Sequence, residues 1–167
     1  MFKIAQRAAL LVAVAAGAFG ASAANAATAT DTFDVSVTIT AACSVDASSS
    51  DIDLGTHQST ATDLGASSDI TVKCSNTVPY RVNLSPSNGN TGGAGSLDPV
   101  GASPDTVPYQ LRSASGMSGT VWGNTSSNGV TGTGTGADQT LTVYATAASA
   151  NYAPDTYSDT VTVTVNY

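Results

Sequence analysis

Thr160-Val161-Thr162-Val163-Thr164-Val165-Asn166-Tyr167 is the stretch that decides the fold. Valine and a polar residue alternate through it. Successive side chains of a strand point to opposite faces, so this run predicts a strand with one apolar and one wet face. A second such run stands at the front: Thr32-Phe33-Asp34-Val35-Ser36-Val37-Thr38-Ile39. It has no body of sequence around it to pack against. The sequence stops inside the first alternation. With a spare stripe at the front, this predicts a subunit that lends a strand to a neighbour.

Between the two runs the same period recurs, with turn residues as punctuation. Ile52 and Leu54, ended by Gly55, predict a short strand. Ile70, Val72 and Cys74 predict another. Tyr80, Val82 and Leu84 form the next, opened by Pro79. Val107, Tyr109 and Leu111 follow, and Pro108 among them argues for a sheet edge. Val121-Trp122 predicts a short strand. Leu141, Val143 and Ala145 form another, and the last runs from Tyr157 through Val165 to Tyr167. Residues 85–98 and 124–138 read as Gly/Ser/Thr-rich loops. This is the pattern of an all-β, immunoglobulin-like sandwich, with a closed barrel as the rival.

Residues 1–26 read as a secretion signal. Lys3 and Arg7 precede an apolar run of about a dozen residues, too short to span a bilayer. Ala24-Asn25-Ala26 is the small-x-small cleavage site. Residues 27–42 are then a donor strand with its linker, and residues 43–167 one domain. Without the leader, Lys73, Arg81 and Arg112 face twelve aspartates and no glutamate, a net charge of about −9. Such a surface argues against nucleic acid and stable membrane insertion. Cys43 and Cys74 are the only cysteines, and in an exported chain a lone pair predicts a disulfide.

The residues offer little to catalysis. His57 is the only imidazole, and a surface or capping role fits it better than that of a base. The run Gly132-Thr133-Gly134-Thr135-Gly136 lacks the lysine and helix of a phosphate loop. Asp51 with Asp53, and Asp155 with Asp159, can pair, but neither pair sits in a ligand-dense loop. Trp122 and the tyrosines suit a core better than a sugar platform. No enzyme, metal or cofactor is expected.

The ends carry the prediction. If the last strand borders a missing one, the core lies open along a groove. The stripe Phe33, Val35, Val37 and Ile39 then fills it, with ladder bonds for affinity and alternate side chains for register. Burying four such side chains contributes a gross gain of roughly 6–12 kcal/mol. A strand given forward and another received behind build an open filament. The alternative is self-completion, because Thr40-Ala41-Ala42 is long enough for a hairpin back toward a strand starting near Cys43.

The chain resembles the spore coat protein U domain family, which includes the major subunits of archaic chaperone–usher pili. The resemblance spans the chain after its leader. It rests on the N-terminal stripe running into Cys43-Ser44-Val45, on Ile52-Asp53-Leu54-Gly55, on Ile70-Thr71-Val72-Lys73-Cys74, and on Tyr109-Gln110-Leu111. Its most specific piece is Tyr157-Ser158-Asp159-Thr160-Val161-Thr162-Val163-Thr164-Val165-Asn166-Tyr167.

The resemblance implies an incomplete immunoglobulin-like sandwich, completed by donor-strand complementation. A periplasmic chaperone lends the first strand, and at an outer-membrane usher the next identical subunit replaces it. Phe33, Val35, Val37 and Ile39 are then the donors, and Cys43–Cys74 the family disulfide. Val161, Val163, Val165 and Tyr167 line the acceptor groove. The product is a cell-surface fimbrium for attachment and biofilm formation. A secreted spore-coat protein, or a self-complete carbohydrate-binding sandwich, is the alternative.

Overall fold

The computed structural model describes residues 26–167. The expected leader lies outside the described residues except for Ala26. Contacts divide the chain into two units, Met1–Val37 and Thr38–Tyr167. Residues 26–42 belong to no strand.

The second unit is built from nine strands, and every strand pairing is antiparallel. They are β1 (Cys43–Asp46), β2 (Thr62–Cys74), β3 (Pro79–Pro86), β4 (Ala94–Pro99), β5 (Val107–Arg112), β6 (Val130–Thr133), β7 (Asp138–Ser149), β8 (Tyr157–Ser158) and β9 (Val161–Asn166). One sheet has the order β1-β2-β7-β5-β4-β8, the other β6-β3-β9. The two bury their inner faces against each other. Ile70, Val72, Tyr109, Leu111 and Val143 come from the large sheet, and Tyr80, Val82 and Leu84 from the small one. The alternation along β3 shows the pleat, with Tyr80, Val82 and Leu84 buried and Arg81, Asn83 and Ser85 half-exposed. The expected sandwich is therefore present.

Trp122 plugs the core at 1% exposure, and its indole N–H donates to the Val82 carbonyl at 2.8 Å. A buried indole needs such a partner. The strand expected at Val121-Trp122 is reduced to one bridge, Arg112 to Val121.

Other expectations are corrected. Ile52 and Leu54 lie in an irregular segment. The stretches read as loops contain β4 and β6. The last strand is two: β8 pairs with β4, the chain crosses between sheets at Asp159-Thr160, and β9 pairs with β3. Pro108 sits inside the large sheet. It is tolerated because β5 pairs with β7 only from Gln110 onward, leaving a local edge at Pro108.

Thr77, in the turn between β2 and β3, has φ 64°. A β-branched residue in the left-handed region is strained by about 1–2 kcal/mol. It is held there because its N–H donates to the Gly134 carbonyl at 2.9 Å while the Gly134 N–H donates to the Val78 carbonyl at 2.7 Å. Thr77→Gly removes the strain at a smaller entropic cost. We expect a net gain of about 1 kcal/mol, seen as a higher urea midpoint with an unchanged slope. An unmoved midpoint would show that the turn holds no strain.

Candidate functional site

β9 pairs with β3 on one side and with no described strand on the other. β1, at the edge of the large sheet, likewise has one partner, and the two free edges approach each other. Their inward side chains do not close the core. Val161, Val163 and Val165 on β9 are half-buried, whereas their counterparts on β3 are fully buried.

Between the sheets on this side lies a cavity of about 360 Å³. Leu84 forms its floor from the small sheet, and Ile70, Leu111 and Val143 from the large one. Val161 and Val163 form one wall, and Ile52 and Leu54 the other. The irregular segment thus explains its own alternation: its apolar residues face the cavity rather than a sheet neighbour. β9, which forms one wall, has a free edge whose backbone N–H and C=O groups pair with no described strand.

Polar groups punctuate this lining. The Tyr109 phenol, 6% exposed, donates to Asp159 Oδ2 at 2.7 Å. Burial pushes the Tyr109 phenol well above its ordinary range, and the hydrogen bond and charge of Asp159 add to the shift. Asp51 also borders the cavity.

The acceptor residues named from sequence separate here. Val161 and Val163 line the cavity. Val165 packs against the core without lining it. Tyr167 lies beyond β9 and is 63% exposed. The stripe expected as donor has Phe33 and Val35 87% exposed, Val37 82% and Ile39 85%. Sequence reading missed Ile70, Leu84, Leu111 and Val143 as groove residues, because their periodicity marks them only as core. It also missed the Tyr109–Asp159 pair, whose members are 50 residues apart.

Cys43 and Cys74 form the expected disulfide and occupy opposed positions of β1 and β2. The other candidates have structural partners. His57 Nε2–H donates to the Leu54 carbonyl at 2.7 Å, and Asp53 accepts the Gly55 N–H at 2.8 Å. Asp155 accepts the N–H groups of Ser103, Thr156 and Gly101, which hold its carboxyl below the usual range. The Gly/Thr run contributes Gly132 and Thr133 to β6.

An antiparallel sandwich with a largely apolar groove beside the unpaired edge of β9 is the class that fold and site define. The chain belongs to the Spore Coat Protein U domain family, whose family model matches residues 29–164. Among solved structures it is similar to a complex of Acinetobacter baumannii, the CsuC-CsuE chaperone–tip adhesion subunit pre-assembly complex from archaic chaperone-usher Csu pili. The identity is 24% and the TM-score 0.52, over 78% of this chain and 40% of that chain. The present chain thus spans well under half of that chain, and the likeness shows an immunoglobulin-like fold. A chaperone–tip adhesin complex of CFA/I fimbriae biogenesis matches at 10% identity and a TM-score of 0.46, over 74% of this chain and 41% of that chain. No curated protein matches the chain.

Proposed function

We propose that this chain is a pilus subunit that polymerises head to tail, each copy placing its Phe33–Ile39 segment in the groove of another. One observation carries the reading: a cavity of about 360 Å³, lined largely by apolar side chains, opens beside the unpaired edge of β9 in a chain that also carries an exposed, alternating apolar stripe. The groove wants an extended apolar strand, and the stripe is one. On this reading residues 1–26 are removed on export, residues 27–42 are donor and linker, and residues 43–167 are the acceptor domain. A periplasmic chaperone occupies the groove first, and an outer-membrane usher is where the next subunit displaces it. The fibre stands on the cell surface and mediates attachment and biofilm formation. The groove recognises a polypeptide, and the proposed role is structural rather than catalytic.

The test is dosage. A copy lacking residues 27–39 accepts a strand and lends none, so co-producing it with the intact chain shortens fibres in proportion to its share. Fibre lengths are read by electron microscopy. Lengths that do not change with dose would refute the proposal.

A further inference from the structure

We propose that the hydrogen bond from Tyr109 to Asp159 is a latch on the groove wall, and that its opening sets the rate at which the groove exchanges one strand for another. This deepens the function proposed above and rests on it.

The argument starts at the crossover. β8 belongs to the large sheet and β9 to the small one, and only Asp159-Thr160 joins them. Val161 and Val163, which follow at once, form a wall of the groove. Wherever the crossover sits, the start of that wall sits. Among the described residues, one side-chain hydrogen bond joins the crossover to another strand, the Tyr109–Asp159 bond at 2.7 Å. The other oxygen of Asp159 accepts the Thr160 N–H at 2.7 Å and so fixes the turn itself. Both residues line the cavity.

The phenol is placed by a glycine. Gly95 on β4 stands opposite Tyr109. A Cβ there would lie 2.0 Å from the Tyr109 ring and 2.4 Å from its hydroxyl. Only a residue without a side chain lets the ring lie across the strand and reach Asp159. Gly95, Tyr109 and Asp159 come from three separate parts of the chain and meet at the groove wall. The bond is charge-assisted and partly buried, the circumstances in which one hydrogen bond counts most. A strand that enters or leaves must part the wall from its neighbours, and the latch opposes that motion. Tyr109 and Asp159 are thus positioning residues for the groove.

The test uses the full exported chain carrying Val35→Asp and Val37→Asp, so that its own stripe does not compete. The probe is a fluorescent peptide of residues 27–42, and the readout is its release when chased with unlabelled peptide. We expect Tyr109→Phe to speed exchange about tenfold, Asp159→Ala to speed it at least as much because it also frees the Thr160 N–H, and Tyr109→Phe to add nothing further once Asp159 is Ala. Asp159→Asn keeps an acceptor oxygen and restores the rate to within about twofold. Leu64→Ala weakens the core away from the groove and supplies a control of lowered stability; its exchange rate stays unchanged. Exchange as slow in Tyr109→Phe as in the parent overturns the latch alone, as does equal acceleration by Leu64→Ala. Failure of the parent to bind the peptide overturns the groove reading and the latch with it.

Discussion

Val35→Asp together with Val37→Asp abolishes fibre growth and leaves the subunit as stable as before. Both side chains are more than four-fifths exposed in the free chain. Their replacement removes no packing, and the expected change in unfolding free energy is within about 0.5 kcal/mol. In the proposed fibre each valine contributes about 1.5–3 kcal/mol of burial. Losing two forfeits about 3–6 kcal/mol, or roughly a hundred- to ten-thousandfold in the association constant. The carboxylates add to the loss, because the groove offers them no cation and burial of an unpaired charge is costly. Ser36→Asp and Thr38→Asp make the sharper comparison. They carry the same charge on the same segment but lie on the opposite face of a strand. We expect fibres of near-normal length from them. Fibre counts by electron microscopy and urea unfolding of the same variants decide the matter. If the charge acts equally at Val35 and Ser36, the segment does not bind as a strand, whatever its overall importance.

That comparison relies on period two, which is also what made this sandwich readable. Tyr80-Val82-Leu84, Val107-Tyr109-Leu111 and Val161-Val163-Val165 alternate because each is buried on one face only, and each lies where its pattern places it. β4 and β6 were illegible for a reason that recurs in both. Gly95 lies under the Tyr109 ring, and Gly132 under the ring of its strand partner Tyr80. A glycine that makes room for a neighbour's tyrosine has the same composition as a glycine in a loop. The N-terminal half of β2 was missed because its inward residues after Leu64 are Ala66 and Ser68, too small to announce a core face. Ile52 and Leu54 misled in the other direction, since a groove lining imposes the same alternation as a sheet. The break at Asp159-Thr160 has no sequence signal of its own. Among the described residues, its one side-chain hydrogen bond to another strand comes from Tyr109, 50 residues away in sequence, and nothing local links the two. The terminal stripe pointed to Val161 and Val163, which do line the cavity, whereas the cavity's other walls and the Tyr109–Asp159 bond arise from tertiary pairing.

The Cys43→Ala, Cys74→Ala variant yields a protein that retains most of its sandwich and captures strands poorly. The disulfide joins residues 31 apart. Closing such a loop is worth roughly 3–4 kcal/mol in the chain-entropy treatment, and we expect a fall of about that size in unfolding free energy. How the loss is distributed matters more. β1 has four residues, sits at the edge of the large sheet, and is half-exposed at best. The segment after it, through Leu54, forms no strand. Without the covalent tie, four edge pairs are left to hold β1 to β2, a stretch short enough to fray locally. The long pairing of β2 with β7, which runs from Thr62 to Lys73, stays intact. Local opening thus removes Ile52 and Leu54 from the groove and leaves the opposite wall in place. Hydrogen exchange should show the amides of β1 losing protection well before those of β7, and the residue 27–42 peptide should bind at least about tenfold more weakly. Uniform loss of protection across all nine strands would mean that the bond stabilises the domain as a whole and has no particular role in shaping the groove.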